Sequence, residues 1–415
     1  MHGRRDADGR HSQFKDFVRC LDCMVQVARE RQVDAVVFTG DAYHYTRPDP
    51  LSQREFLRRV LALAESGISV LLLSGNHDLP PGYGEAAALD IVNLFKVEGI
   101  EFVRHPKVVT LRTKRGALHV ACLPYLPRRA LITVEEERGL NDEQVCSLMA
   151  ARAAEMVKRL CQTVQRLGGD EPALLAGHIW VDGVAFVGSE RILSPFAEPA
   201  VSPGVLRQQA FAYVALGHIH RHQIVGAMTP PIVYAGNMGR LSFDEEKDDK
   251  GFLVVELGRS PSGRWGVEDL QFVPTPTRPF VTVRLDLSSA ADPTQFALNA
   301  LAGDRRLDGA VVRLFVTLAE HQRGQLNLAT LRGELEKRVD YLAAVSVQVA
   351  TEHNGDRPLL LDPRDPDALN RVLQRPLDLL HQWLMERATT EPSIAQRREI
   401  LLRRARALMD SPNAP

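Results

Sequence analysis

Five short apolar runs in this chain end in the same way: each stops at a glycine, and a polar side chain follows at once. Residues 33–39 run into Gly40-Asp41, residues 68–73 into Ser74-Gly75-Asn76, and residues 173–176 into Gly177-His178. Residues 213–216 run into Gly217-His218-Ile219-His220, and residues 232–235 into Gly236-Asn237. Apolar runs this short, rich in β-branched residues, suit buried strands. A glycine lets the backbone turn tightly, so the next side chain points back over the sheet edge. A helical stretch at 52–65 separates the first two runs. Alternation of helix and strand predicts an α/β fold whose site lies at the carboxyl ends of its strands.

At 415 residues the chain is too long for one ordinary core, which predicts at least two domains. Its 51 Lys and Arg against 52 Asp and Glu leave a formal net charge of -1. That balance excludes a protein held to nucleic acid by bulk positive charge, so any DNA contact must use a local patch or a metal site. No run approaches the length of a membrane span, and residues 1–13 are charged rather than signal-like, which predicts a cytoplasmic protein without a membrane anchor. Five cysteines, an odd number, suit reduced thiols. Cys20 and Cys23 have Cys-x-x-Cys spacing, but they sit within an amphipathic stretch from Phe14 to Ala28 with no second pair downstream. They read as helical core rather than as a redox or zinc motif.

Composition changes at residues 274–279, where Pro-Thr-Pro-Thr-Arg-Pro interrupts any regular element. A small α+β unit is predicted beyond it, with strands at 280–287, 311–318 and 344–350 and a helix at 328–338. From about Asn354 the chain reads as linker. Two amphipathic helices follow, one starting near Pro366 with an apolar face of Leu377, Leu380, Trp383 and Leu384, the other near Pro392 with an apolar face of Leu401, Leu408 and Met409. The domain limits this gives are 1–275, 276–353 and 354–415.

Asp41, Asn76, His178, His218 and His220 share the glycine-led strand-end context. A single histidine would more often be an ordinary core or surface residue. Five metal-competent side chains in one structural context point instead to an ion site. Carboxylate, amide and imidazole donors without thiolate favour Mn, Fe or Zn, and two close ions are a recognised device for hydrolysing phosphate esters. A carboxylate such as Asp41 can bridge both. His105, His119, His222, His321, His353 and His381 lack this context and read as ordinary.

In order, Gly40-Asp41, Gly75-Asn76-His77-Asp78, Gly177-His178 and Gly217-His218-Ile219-His220 resemble the signature of the calcineurin-like metallophosphoesterases. Gly40 to His44, Arg47-Pro48-Asp49-Pro50, Tyr234 to Asn237 with Arg240 and Phe243-Asp244, and Lys250-Gly251-Phe252 narrow the resemblance to the SbcD-type nucleases. It implies a four-layer αββα metallophosphoesterase sandwich, a small α+β cap domain that contacts DNA, and C-terminal helices that dock on an SbcC-type ATPase. Two divalent metal ions are implied, manganese (Mn2+) first among them. Asp41 would bridge them, Asn76, His178 and His218 would complete one site, and His220 would serve the other. His77 would be the acid at the leaving oxygen, a role that suits an imidazole because its pKa lies near working pH. His44 matches a position linked to DNA positioning and exonuclease action, and Asp78 would orient the loop. DNA double-strand ends and hairpins would be the substrates, and a homodimer through the phosphoesterase domain is implied.

The family opens with a strand ending in Asp-x-His, whereas this sequence opens with residues that look like the loop after that motif. The first strand of the sandwich is therefore expected to be missing, leaving His220 and Asp41 as the only protein ligands of the second ion. A gene start placed too far downstream, a true loss leaving a catalytically impaired scaffold, and substitution by Asp6, Asp8 or His2 are the explanations in play. A metallophosphoesterase acting on a small phosphodiester is the enzymatic alternative.

Overall fold

The computed structural model describes residues 3–5, 10–80, 85–185, 198–226 and 229–350, together with Leu380, Leu384, Leu401 and Leu402. In chain order the elements are α1 (Ser12–Glu30), β1 (Ala35–Phe38), α2 (Pro50–Glu65), β2 (Ser69–Leu73), α3 (Asp90–Phe95), β3 (Ile100–Val103), β4 (Lys107–Thr113) and β5 (Gly116–Leu123). Then come α4 (Arg128–Leu131), α5 (Val134–Glu137), α6 (Asp142–Leu167), β6 (Ala173–His178), β7 (Trp180–Val181), β8 (Ala200–Val201), α7 (Pro203–Leu206), β9 (Tyr213–Gly217), β10 (Gln223–Ile224) and β11 (Ile232–Tyr234). The rest are β12 (Gly251–Arg259), β13 (Trp265–Pro274), β14 (Phe280–Asp286), α8 (Pro293–Gly303), β15 (Val311–Ala319), α9 (Leu328–Glu336) and β16 (Tyr341–Ala350). The chain divides into one compact unit reaching Ala350 and a second from Thr351 to Pro415.

Alternation along the strands builds a four-layer α/β sandwich in the first unit. Strands β1, β2 and β3 form a parallel sheet, and a six-stranded sheet has the order β10-β11-β9-β6-β5-β4. Successive side chains of a strand point to opposite faces. In β2, Val70 and Leu72 accordingly pack with Met24, Phe56, Val60 and Leu63 of α1 and α2, whereas Leu71 and Leu73 join an inner core with Val120, Cys122, Leu174, Ala176 and Val233 of the larger sheet. On that sheet's far side Ala121, Leu123, Leu175, Val214 and Tyr234 pack against α6. The helix α6 repeats buried residues at Val145, Met149, Ala153, Val157, Leu160 and Val164, a stripe of helical period. Each of the larger of these side chains, the valines, leucines, methionines and Phe56, contributes about 1.5–3 kcal/mol by leaving water.

Helix ends are set by local chemistry. Asp49 caps α2, accepting from the backbone of Leu51 and Ser52, and Pro50 supplies the first turn. Asn141 and Gln144 form a capping box at the start of α6. Cys20 is fully buried in α1 and Cys23 half-buried, the helical placement read from the sequence.

A long hairpin, β12 with β13, adds Leu253, Val255, Leu257, Val267 and Leu270 to the inner core. Among the described strands β1 is bonded only to β2 and β12 only to β13. Between those two unpaired edges runs a cavity of about 2080 Å³, lined by Val36, Phe38, Leu253 and Val255 and reaching His218 and His220 at the strand tips. β1 is therefore only half-buried along its length, while every residue of β2 is buried. Asp6, Asp8 and His2 lie outside the described residues.

After residue 275 the chain forms a three-stranded parallel sheet, β14-β15-β16, crossed over by α8 and α9 around a core of Val283, Leu301, Leu314, Val316, Leu331 and Leu335. β16 begins at Tyr341, three residues before the predicted strand. Arg278 holds this part to α1 through Asp16, with Nη2 2.9 Å from its Oδ1, and pairs with Asp340 on its other side. Of the two predicted C-terminal helices only Leu380, Leu384, Leu401 and Leu402 are described, all helical, with Leu384 buried; Leu377, Trp383, Leu408 and Met409 lie outside the described residues. No helix among the described residues is long and apolar enough to cross a membrane.

Candidate metal centre at the strand tips

Parallel pairing brings the carboxyl ends of β1, β2, β6 and β9 to one end of the sandwich. Asp41 follows β1, Asn76 follows β2, His178 is the last residue of β6, and His218 follows β9. The turns are tight enough to need their glycines. A Cβ on Gly75 would lie 2.1 Å from Asp41 Oδ1, and one on Gly40, whose φ is +103°, would lie 2.3 Å from His178 Nδ1. Asp41 and His218 themselves hold positive φ values of 56° and 88°. Non-glycine residues in that region carry strain that the surrounding structure must hold, and such strain clusters at functional sites.

Four donor side chains meet here. His178 Nε2 lies 2.9 Å from Asn76 Oδ1 and 3.4 Å from Asp41 Oδ2, and His218 Nδ1 lies 3.3 Å from the same Asn76 oxygen. His178 Nδ1 donates to the carbonyl of Thr39 at 2.8 Å, so its Nε2 is left bare in the neutral ring. Acceptor atoms thus face acceptor atoms, an arrangement that calls for a positive charge between them. Donor separations near 3 Å are those of adjacent ligands around an ion bound at about 2.1–2.2 Å. The residues present fit one divalent ion. Among the described residues no three His, Cys, Asp or Glu side chains form a metal cage by themselves, and this group reaches four donors only with the asparagine amide.

The surrounding groups hold the Asp41 carboxyl in its ionised form. Burial would push the Asp41 carboxyl up, but the His178 imidazole, with help from His77 and its backbone N–H, carries it well below the usual carboxylate range. Burial works to lower His178, yet the Asp41 charge raises it above its ordinary value. Asp78 moves the other way. Burial and the neighbouring Asp41 charge push it up to about 6, against the hydrogen bonds its Oδ2 accepts from Gly75, Asp41 and Ala42. Those three bonds clamp the β1 and β2 turns to each other, the loop-orienting position expected of Asp78.

His220 stands apart from the four-donor group. Its Nδ1 donates to Glu245 Oε1 at 2.9 Å. Glu245 is fully buried and also accepts from Leu241 N at 2.9 Å and from Asn237, with Lys250 Nζ 3.3 Å away. Burial would raise Glu245, but the His220 bond and the Lys250 charge bring it down to about 2. His218 has a carboxylate partner too: its Nε2 lies 2.9 Å from Oε2 of Glu198, whose side chain is only 4% exposed. Neither glutamate stands out in the sequence as a site residue. Glu245 directly follows the Phe243-Asp244 pair, which was the available signal, whereas Glu198 lies in an irregular stretch before β8 that carries none.

His77 and His44 sit at the rim. Nδ1 of His77 is 2.9 Å from the carbonyl oxygen of His44, and the two rings stack. Burial and the neighbouring His77 lower the His44 imidazole. Of the histidines read as ordinary, His119 bonds Thr110 and His222 bonds the Tyr234 carbonyl and stacks on Phe272.

Three relatives of the chain carry one name. It is 28% identical over 278 residues to the SbcD subunit of nuclease SbcCD from Escherichia coli, covering 65% of both chains. With the protein of that name from Bacillus subtilis it is 26% identical over 273 residues, 64% of this chain and 66% of the relative. With that from Rhodobacter capsulatus it is 27% identical over 385 residues, 87% of this chain and 88% of the relative. The chain thus spans slightly less than two thirds of the first two relatives it matches. The calcineurin-like phosphoesterase family profile matches residues 1–222. With more than half of its length so matched, and its strand-tip donors gathered where a two-sheet sandwich opens, the chain belongs to the calcineurin-like phosphoesterase family.

Proposed function

We propose that this protein is a metal-dependent DNA nuclease of the SbcCD type, hydrolysing phosphodiesters at DNA double-strand ends and hairpins. The observation that carries the reading is the convergence of Asp41, Asn76, His178 and His218 with their acceptor atoms turned inward. These residues would hold one divalent ion, manganese in the first instance, and Asp41 with His220 would hold a second. When bound, such ions polarise the phosphate ester and lower the pKa of a water so that it can attack. The chain's own residues supply position and proton. Because a carbonyl only accepts, His77 donates Nδ1–H to His44, which leaves Nε2 directed elsewhere and able to carry a proton to the departing oxygen. His44 would place the DNA beside it. Metal charge supplies the local attraction for phosphate that a net charge of -1 does not.

Residues 276–353 would cap the DNA, residues 354–415 would dock on an SbcC-type ATPase, and two copies would pair through the phosphoesterase domain. A second reading, a scaffold that binds DNA ends without cutting, is favoured by one observation: His220 stands apart from the four-donor group, with its Nδ1 bonded to Glu245. Calorimetric titration of the full chain with Mn2+, alongside cleavage of linear and hairpin duplex DNA, separates the readings. Two bound ions and cleavage abolished by Asp41→Asn support the nuclease. One ion without cleavage supports the scaffold. Hydrolysis of small diesters with none of DNA overturns both.

A further inference from the structure

His178, His218 and His220 each give one ring nitrogen to an acceptor of the protein, but not the same nitrogen. His178 and His220 give Nδ1, to the Thr39 carbonyl and to Glu245. His218 gives Nε2, to Glu198. The reversal matters because a neutral imidazole has one proton to place. A carboxylate can only accept, so the proton of His218 sits on Nε2, and Nδ1 is bare where it faces Asn76 Oδ1 at 3.3 Å. Were the proton on Nδ1, it would point at the place a cation would occupy, and the Nε2 lone pair would oppose a carboxylate oxygen.

Glu198 is buried against His218, with the Tyr125 hydroxyl beside it. Its side chain is 4% exposed, and its second oxygen, Oε1, is buried without a hydrogen-bond partner. Leaving a buried carboxylate oxygen unpaired is costly, and folded proteins keep such groups only where something offsets the penalty. Helix propensity or packing does not account for it, since Glu198 lies outside any helix, in an irregular stretch just before the two-residue strand β8. Burial would raise its carboxyl; the hydrogen bond from His218 holds it below its ordinary value.

We infer that Glu198 is a positioning residue that fixes the tautomer and ring orientation of His218, keeping Nδ1 free of its proton for a divalent ion held with Asp41, Asn76 and His178. It touches neither the ion nor the substrate. The inference rests on the metal-dependent reading of the site given above. Partners of this kind fix the orientation and basicity of an imidazole ligand, and their loss typically weakens metal affinity by about 10- to 100-fold.

The test uses the full chain and two readouts that do not depend on catalysis. Long-range proton–nitrogen correlation spectra of the protein labelled at histidine nitrogens, with His218 assigned through His218→Gln, report which ring nitrogen carries the proton. The expected result is Nε2–H in the parent and a mixed or reversed pattern in Glu198→Ala. Titration with Mn2+ should give about 10- to 100-fold weaker binding in Glu198→Ala, with Glu198→Gln, which keeps an acceptor oxygen, recovering part of the loss. A parent His218 protonated on Nδ1, or a folded Glu198→Ala that binds Mn2+ within about twofold of the parent, overturns the inference. Should Glu198→Ala fail to fold, the parent spectrum and Glu198→Gln decide it. Failure of the parent to bind Mn2+ would instead sink the metal reading, while the spectrum still decides the tautomer.

Discussion

Nδ1 of His77 lies 2.9 Å from the carbonyl oxygen of His44, and the two imidazoles stack with centroids 5.6 Å apart and planes 15° apart. The bond runs to the main chain, so it survives any change of the His44 side chain, whereas the stacking does not. His77→Ala is expected to lower DNA cleavage by about 100- to 10,000-fold, the usual contribution of a positioned acid, with Mn2+ binding unchanged. His44→Ala should cost far less on a small diester and more on DNA. Steady-state rates on both substrates check this pair; equal losses for the two variants would refute the division of roles.

Gly75 is packed against the backbone and carboxylate of Asp41, so that a methyl group added there would lie 2.4 Å from the Asp41 nitrogen. Gly75→Ala should push Asp41 out of the donor group. Overpacking of this kind typically costs about 1–3 kcal/mol. Chemical denaturation should show the loss of stability and calorimetry the loss of ion binding together. Loss of stability alone would mean that the Asp41 turn gives way without moving its carboxylate.

Glu245 and Lys250 form a buried pair behind His220, and Lys250 Nζ also donates to the His220 carbonyl at 3.0 Å. Removing Glu245 leaves the buried Lys250 with only Asp248, 3.6 Å away, as a carboxylate partner, and breaking a buried pair costs up to about 3–5 kcal/mol. Glu245→Gln is therefore expected to lower the unfolding free energy substantially, and the double variant Glu245→Gln with Lys250→Met to regain much of it. Denaturant titration of the three proteins measures the coupling. A double variant no more stable than the single would show that the pair stabilises through its hydrogen bonds rather than through charge balance.

Helix α2 carries an acid-sensitive contact of its own, beside the Arg59–Asp22 pair that reaches α1. Arg59, buried, bonds Glu55 at 2.9 Å and Asp22 at 2.7 Å, and hydrogen bonds from Arg59 and Arg54 bring the Glu55 carboxyl down to about 2 from an ordinary value near 4.5. A carboxylate whose pKa is depressed on folding adds stability that is complete above the unfolded value and is lost as pH falls through the folded one. The stability difference between the parent and Glu55→Gln should hold from pH 7 to about 5 and close as pH approaches 2. Thermal unfolding along that range checks it; a gap constant down to the acid end would remove Glu55 from the acid response.

The strand tips were legible because their signal is local. A glycine after an apolar run says where the backbone turns, and a donor after the glycine says what is presented there, so Asp41, Asn76 and His218 were found at their turns. His178 was found too, although β6 runs two residues further than expected and carries it on the strand itself. The hairpin β12–β13 and the long helix α6 were not foreseen, since their placement depends on which sheet face is left apolar. Glu198 was not legible at all. Its role comes from a contact with His218, twenty positions away in sequence, and a glutamate in an irregular stretch reads as solvent-facing until the fold buries it.

The cavity beside β1 has a practical consequence for anyone who handles the protein. Environment-sensitive dyes such as ANS brighten on exposed apolar surface, and that brightening is the usual mark of a molten globule. Here the folded chain itself holds a hollow of about 2080 Å³ lined by Phe38, Val36, Leu253 and Val255. Dye fluorescence should already be high in a fully native sample and fall on heating, so a bright signal reports this protein intact, and the standard dye-based melt would read its transition upside down.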